Sequence, residues 1–335
     1  MPQTLKPYNN CPNNFRINLY QQPMKGPLFY SKILLFGEHA INKGSRGLSI
    51  PYNFYNGGLK VDDNLSAEAQ KSNTSLRSFV DYLEEMQQED NGLVQFDIDT
   101  LKLNVEAGMY FDSSIPQGYG VGSSGALVAA IYDQYAQNKI TVLENLTRDK
   151  LLKLKQIFSK MESFFHGTSS GLDPLNSYLS IPILINSHDN IEATGIPTQS
   201  LDGKGAVFLL DSGMVKQTAP MVSIFMESLK DKGFRAMVKN QFVKYTDACI
   251  ENFLHGDVKA LFANTKELSK VVLSNFKPMI PEQFHELWQK GIESNDYYLK
   301  LCGSGGGGYI LGFAEDIDKA RLSLKDYKLE VVYQF

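Results

Sequence analysis

Three glycines alternate along Gly118-Tyr-Gly-Val-Gly122, and two hydroxyls, Ser123 and Ser124, follow them. Behind them Ala126, Leu127, Ala129, Ala130 and Ile131 form a run of strong helix propensity, so the glycines feed a helix N-terminus. Such a junction binds anions. Glycine lets backbone N–H groups come close to a ligand, and the first helical N–H groups have no partner of their own. The helix dipole adds roughly 0.3–1 kcal/mol per nearby anionic group, and phosphate is the anion favoured. The plainer alternative is a tight turn with Ser123 as an ordinary N-cap. Other groups fit for chemistry lie elsewhere in the chain. Lys32 stands beside the apolar run Ile33–Phe36, and Glu38 and His39 follow it directly. Glu162 and His166 are one helical turn apart and share a face. His166-Gly-Thr-Ser-Ser-Gly-Leu-Asp173 is a glycine- and hydroxyl-rich turn that ends in a carboxylate before Pro174. Taken singly, these are a strand-end charge, a surface pair worth a few tenths of a kcal/mol, and a helix cap. Their order along the chain gives them joint weight.

The elements that must position these groups follow from periodicity. Ile33–Phe36 reads as a buried strand, and Gly47–Phe54, Gly58–Val61 and Phe96–Phe111 as further strands. Phe79, Val80, Leu83 and Met86 give Ser75–Met86 helical spacing, and helices are expected at about 124–138 and 148–164. Leu179–Ile185 is a short strand-like run containing Pro182. Ala206–Leu210 is a clean buried strand, near which a domain boundary is expected. Residues 219–296 are mostly helical in pattern, broken by Pro278 and Pro281. Tyr297–Cys302, a glycine run, Tyr309–Phe313, a short helix from Asp316 and Leu329–Tyr333 complete the order. Strands mixed with helices in no regular alternation predict an α+β fold.

Composition and failed motifs narrow the function. A chain of 335 residues accommodates two domains with a substantial core. Its net charge of -4 argues against broad nucleic-acid binding, which needs a basic footprint. No apolar run reaches membrane-spanning length. Residues 1–26 are rich in Asn, Gln and Pro and lack the apolar middle region of a secretory signal, so a cytoplasmic protein is expected. Three cysteines, Cys11, Cys249 and Cys302, without a Cys-x-x-Cys pair indicate neither a disulfide framework nor a thiolate zinc site. Gly303, Gly305 and Gly308 satisfy G-x-G-x-x-G, but a strand-like run follows them where a dinucleotide fold needs a helix. Gly167-Thr-Ser-Ser-Gly171 satisfies G-x-S-x-G, but a helical pattern precedes it where a nucleophile elbow needs a strand. His285-Glu286 begins a zinc-protease pattern whose second His position is Gln289. Neither a P-loop nor the protein-kinase set is present.

The surviving order resembles the GHMP small-molecule kinases, the superfamily of galactokinase, homoserine kinase, mevalonate kinase and phosphomevalonate kinase. Three segments carry the resemblance: Lys32-Ile-Leu-Leu-Phe-Gly-Glu-His-Ala40, Pro116-Gln-Gly-Tyr-Gly-Val-Gly-Ser-Ser-Gly-Ala126 and Cys302-Gly-Ser-Gly-Gly-Gly-Gly308. Gly37-Glu-His-Ala40, the Glu162–Asp173 segment and Lys216-Gln-Thr218 look most like the mevalonate kinase family. Ser169 stands where that family usually has Pro, Gly125 where it has Ala, and Arg46 in a stretch usually apolar or small. These departures bear on the substrate, not on the phosphoryl chemistry.

The resemblance implies a two-domain fold. An N-terminal domain (27–205) would hold a mixed sheet with helices, a C-terminal domain (206–335) a ferredoxin-like α/β sandwich, and the cleft between them the active site, with residues 1–26 as an arm. It implies ATP-dependent phosphorylation of the primary hydroxyl of mevalonate. The alternatives are a sister kinase acting on a sugar, homoserine or phosphomevalonate and, more distantly, a non-catalytic ligand-binding protein on the same fold. Gly118, Tyr119, Gly120, Val121, Gly122, Ser123 and Ser124 would wrap the ATP phosphates, and Ser124 and Glu162 would hold Mg²⁺ through oxygen. Asp173 would take or orient the proton of the substrate hydroxyl, with Lys32 beside it offsetting charge on the transferring group. His39, Thr168, Lys216, Thr218, Gly305 and Gly306 are the expected substrate contacts. The implied partners are ATP and a small alcohol, with no nucleic acid or membrane, and a homodimer by analogy.

Overall fold

The computed structural model describes residues 27–89, 92–141, 146–187, 189–200, 202–215 and 218–335. The expected N-terminal arm and Lys216 lie outside these residues. The chain opens with β1 (Phe29–Phe36) and β2 (Gly47–Val61), which pair antiparallel around a 3-10 turn at Ile41–Lys43. Gly47–Phe54 and Gly58–Val61, read as two strands, are one strand of 15 residues. Gly57 and Gly58 do not end it because Gly57 pairs with Phe29 of β1 on one edge and with Ser113 on the other, and Gly58 with Asp112. Residues 47–49 pair with β6 and residues 57–61 with β4, while β1 runs along the opposite edge.

The helix α1 (Ala67–Glu89) buries Leu76, Phe79, Val80, Leu83 and Met86 along one stripe. The expected strand at Phe96–Phe111 is instead three elements: β3 (Gln95–Phe96), α2 (Ile98–Glu106) and β4 (Met109–Ser113). Ile98, Leu101 and Val105 are the buried face of α2, at helical spacing, and Asp97 caps it by accepting from the Thr100 N–H at 3.1 Å. The aromatic residues of this stretch, Phe96, Tyr110 and Phe111, sit in the two strands at its ends. Then follow α3 (Ser123–Tyr135), β5 (Ala136–Gln137), α4 (Arg148–His166) and α5 (Leu172–Leu179). Ser180, in the left-handed region, ends α5, and the strand expected over 179–185 starts only after Pro182, as β6 (Ile183–Ser187), with β7 (Asn190–Ala193) returning beside it.

These strands form a sheet of order β1-β2-β6-β7 with β4 on the other end of β2. Every pairing in it is antiparallel, where a mixed sheet was expected. Its strands join through hairpins or hang on the two ends of β2, and no crossover lays two of them side by side in one direction.

The second sheet begins with β8 (Ala206–Asp211). The helices α6 (Thr218–Ser228), α7 (Lys232–Met237), α8 (Val243–His255), α9 (Val258–Asn275) and α10 (His285–Ser294) follow, with a π turn at Val238–Phe242 and 3-10 turns at Lys277–Met279 and Glu282–Phe284. The chain closes with β9 (Tyr298–Leu301), β10 (Tyr309–Ala314), α11 (Ile317–Ser323) and β11 (Leu329–Gln334). The sheet order is β11-β8-β10-β9, all antiparallel, which is the split β-α-β-β-α-β arrangement. No described helix is long and apolar enough to cross a membrane.

The two sheets are joined by a buried ion pair. Lys300 Nζ on β9 lies 2.6 Å from Glu38 Oε1, just past β1, with side chains 1% and 2% exposed. Burial pushes the Glu38 carboxyl above its ordinary range and Lys300 pulls it back. Lys300 also donates to the Leu301 carbonyl at 2.9 Å and lies over the Phe36 ring. Removing one partner strands the other charge away from water. Lys300→Met is therefore expected to lower the unfolding free energy by about 3–5 kcal/mol in a urea titration, and a Glu38→Leu/Lys300→Met pair to recover much of that loss.

Candidate active site

Strand β1 places Lys32 at the start of the glycine loop. Its backbone N–H donates to the Val121 carbonyl at 3.0 Å, which ties strand to loop. Its ammonium lies 2.7 Å from Asp173 Oδ1, with the lysine side chain 5% exposed and the aspartate 39%. Two glycines permit this. Gly122 caps α3 at φ +85°, where a Cβ would stand 3.0 Å from Lys32 Cγ. Gly122, not Ser123, is thus the helix cap. At Gly125 a Cβ would stand 2.7 Å from the Asp173 carbonyl carbon and 2.8 Å from Pro174 N. The start of α3 therefore sits flush against β1 on one side and α5 on the other. Burial alone would lower the Lys32 pKa, but the charge and hydrogen bond of Asp173 outweigh it and hold it above the usual lysine range.

Positive φ recurs at Gly118, Gly120 and Gly122, with ordinary backbone between. Alternation of this kind curls N–H groups toward a common centre and makes an anion-binding concavity. The free N–H groups of the first turn of α3 add to it.

Glu162, on the buried face of α4, reaches the same point. Ser124 Oγ donates to Glu162 Oε1 at 3.0 Å, and Ser169 Oγ donates to Glu162 Oε2. Ser124 Oγ also lies 3.1 Å from His166 Nε2. Burial, and then the Asp173 charge, push the Glu162 carboxyl up to about 7 against the pull of Ser169, Ser124 and Lys32. The Ser124 hydroxyl and Glu162 carboxylate are hard oxygen donors at the edge of the anion concavity. They suit Mg²⁺, which takes few protein ligands and shares the rest with phosphate and water. Among the described residues no cluster of three or more His, Cys, Asp or Glu is placed to hold a metal by itself.

A cavity of about 150 Å³ opens beside Asp173. His39, Glu38 and Lys155 line it with Asp173, against walls that include Ile183 and Ile185. His39 has φ +60°, a strained value for histidine, and its Nε2 lies 3.1 Å from the Ser304 carbonyl of the second glycine run. Thr168 is exposed, and neither it nor Gly305 and Gly306 is among the described residues lining the cavity. Gly306 donates its N–H to the Met279 carbonyl at 2.7 Å, and a Cβ on it would meet the Met221 sulfur. The same run does close on the first one: a Cβ at Gly308 would stand 2.7 Å from Tyr119 Cα. Lys216 and the Thr218 side chain are outside the described residues. Arg46 points away from the chemistry, bonding Asn186 at 3.1 Å and Glu251 at 2.6 Å. Lys155 was not singled out from sequence, although it shares the helical phase of Leu151, Phe158 and Glu162.

Residues 79–180 match the family model of the GHMP kinases N terminal domain. No curated protein matches the chain by sequence. Among solved structures, L. major mevalonate kinase in complex with R-mevalonate has a TM-score of 0.57 at 17% identity, over 91% of this chain and 92% of that one. Lactococcus lactis galactokinase complexed with galactose has 0.60 at 12% identity, over 92% of each chain. Streptococcus pneumoniae phosphomevalonate kinase with phosphomevalonate and AMPPNP has 0.59 at 13% identity, over 92% of this chain and 98% of that one. At these identities the structural likeness establishes the fold, which is that of the GHMP kinases. The matched segment, residues 79–180, runs from within α1 to the end of α5 and carries the glycine loop, Glu162 and Asp173.

The Gly125 contact yields a direct test. Gly125→Ala puts a methyl against the Asp173–Pro174 peptide, where backbone must give way. A loss of about 1–3 kcal/mol in thermal or urea unfolding is expected, with a lengthened Lys32–Asp173 contact in a crystal structure of the variant.

Proposed function

We propose that the protein transfers the γ-phosphoryl group of ATP to the primary hydroxyl of mevalonate, giving 5-phosphomevalonate and ADP. The observation that supports this reading is the Lys32–Asp173 pair, 2.7 Å apart, lying between the glycine loop and a small cavity. Backbone N–H groups of residues 118–123 receive the phosphates of ATP. The substrate hydroxyl enters from the cavity and donates its proton toward Asp173. As the hydroxyl oxygen bonds to the γ-phosphorus, the bond to the bridging oxygen breaks and its electron pair leaves with ADP. Lys32 offsets charge on the transferring group. Ser124 and Glu162 would hold Mg²⁺, which would supply neutralisation of phosphate charge. Positioning and electrostatics suffice, because phosphoryl transfer asks for little covalent help from the protein.

Mevalonate is favoured by the Gly37-Glu-His-Ala40 start and by the Glu162–Asp173 segment. A sister kinase is the second reading, because the galactokinase and phosphomevalonate kinase likenesses score as high as that of the mevalonate kinase. A coupled ADP-release assay with mevalonate, galactose, homoserine and phosphomevalonate, with and without Mg²⁺, separates them. Magnesium-dependent turnover preferring mevalonate is expected; preference for another alcohol would replace the substrate.

Asp173→Asn is expected to fold normally and to lose about 10²–10⁴-fold in kcat, with MgATP affinity nearly unchanged. Near-normal turnover would remove Asp173 from its role. The Glu162 carboxyl sets a pH dependence. Below about 7 it is protonated and a weaker oxygen donor, so the magnesium concentration for half-maximal rate should rise as pH falls from 8 to 6. In Glu162→Gln that requirement should be high at every pH.

A further inference from the structure

The second sheet grips the glycine loop at Tyr119, the residue between Gly118 and Gly120. Its carbonyl accepts from the Tyr309 N–H at 3.4 Å, its ring meets the Tyr309 ring edge-on with centroids 5.0 Å apart, and its hydroxyl bonds Asp211 at the end of β8. Tyr309, buried on β10, is held in turn. Its hydroxyl lies 2.7 Å from that of Tyr55, which is also 2.8 Å from both carboxylate oxygens of Glu330 on β11. Tyr309 itself is farther from Glu330, at 3.5 Å. Tyr55 has one proton to give, and the carboxylate takes it. Donation therefore runs from Tyr309 to Tyr55 to Glu330. Tyr52 donates to the same carboxylate at 3.3 Å, and Lys328 Nζ lies 3.3 Å from it. The Glu330 side chain is 10% exposed, so these groups rather than bulk water supply most of its hydrogen bonds. A break in the β1–β2 register delivers the tyrosines. Pairing passes from Tyr30↔Asn56 to Ser31↔Tyr52, and residues 53–55 bulge out of the ladder. A bulge re-aims side chains, and this one carries Tyr52 and Tyr55 of the first sheet to Glu330 and Tyr309 of the second. Burial first, with the Glu330 charge adding to it, pushes the hydroxyls of Tyr52, Tyr55 and Tyr309 above the usual tyrosine range, so all three stay protonated donors at neutral pH.

We propose that Glu330 is a positioning residue for the nucleotide: through Tyr55 and Tyr309 it holds Tyr119, and with it the glycine loop, in the curl that receives the phosphates of ATP. This rests on the reading of residues 118–124 as the ATP phosphate loop, and it adds a group from the last strand of the chain to the determinants of nucleotide affinity. Gly118 and Gly120 leave the free loop many conformations. The anion concavity is one of them, and the apparent affinity falls with the fraction of molecules that hold it. Tyr119 is the side chain between the two glycines, so fixing its carbonyl, ring and hydroxyl narrows the choice on both sides of it. The Lys32 amide fixes the Val121 carbonyl from β1. The loop is thereby held from the first sheet at one residue and from the second sheet at another.

Calorimetric titration with AMPPNP and Mg²⁺, in the absence of any alcohol, reads the nucleotide affinity directly. Glu330→Ala should weaken binding by about 5–30-fold. Glu330→Gln, which still accepts from Tyr55, should restore most of the loss. Tyr119→Ala should lose a similar factor, and adding Glu330→Ala to it should lose little more, because both changes act through one residue. A carboxylate that only braced the two sheets would lower the unfolding temperature when removed and leave nucleotide binding as it was. If Glu330→Ala does not fold, Tyr309→Phe takes its place in the cycle, since it keeps the ring on Tyr119 and removes the hydroxyl. Unaltered AMPPNP affinity in Glu330→Ala, or losses that multiply in the double variant, overturns the proposal and leaves the phosphate-loop reading standing. A wild-type protein that binds no AMPPNP overturns both.

Discussion

The start of α3 has no room for side chains at two places, and the site is built on that fact. Gly122 rests on the aliphatic stem of Lys32, and Gly125 rests on the Asp173–Pro174 peptide. Three segments far apart in sequence are thereby held at backbone distance: β1, the glycine loop with its helix, and the turn into α5. The Lys32–Asp173 contact follows from this packing, since the ammonium and the carboxylate are carried by the two elements that flank α3. The glycine loop gains as well. Its carbonyl at Val121 is bound by the Lys32 amide, which ties the loop to β1. A loop so fixed needs little reordering when an anion arrives, and preorganisation is where most of the electrostatic advantage of such sites lies.

The second half of the chain holds the first half in position through polar contacts. The buried Glu38–Lys300 pair anchors the residue next to His39, and His39 itself reaches Ser304. Ser45 and Arg46, just beyond, bond to Asp247 on α8 at 3.0 and 2.9 Å. On the other flank Tyr55 bonds Tyr309 at 2.7 Å and Glu330 at 2.8 Å. Each of these is directional, unlike apolar packing, so together they fix how the sheets meet as well as that they meet. The cost is visible in Glu38, whose carboxyl is raised by burial even with a lysine at 2.6 Å. A buried pair adds little net stability. Its effect here is to define the position of the loop that lines the cavity.

Much of this was legible in the sequence where function and local structure share one stretch of chain. The glycine loop and its helix, the β1 run and the alternation of strands after Tyr297 are contiguous patterns, and each forms close to its expected bounds. Patterns set by tertiary partners were not legible. Phe96–Phe111 has strand composition, but a cap at Asp97 and three well-spaced apolar residues turn its middle into α2. Nothing local says that β2 continues through Gly57 and Gly58, because β1 on one edge and β4 on the other carry it across. Lys155 was hidden among the other lysines of α4. Its helical phase marked it as inward-facing, but a charged residue in an apolar phase is a signal only once its neighbour across the cavity is known.

The electrostatics of Lys32 show why the charged groups must be treated together. Burial as deep as that of Lys32 favours the neutral amine, and Asp173 reverses the preference. The carboxylate is thus what keeps a positive charge beside the glycine loop, in addition to anything it does for a hydroxyl. Asp173 acts in the opposite sense on Glu162, where its negative charge joins burial in favouring the protonated acid. One side chain therefore stabilises charge on one neighbour and disfavours it on the other. The polar pattern around the glycine loop, with an ammonium held charged and an acid held near neutrality, is a property of the three groups as a unit. The packing of α3 that brings Lys32 and Asp173 together is accordingly also what sets the charge of the site.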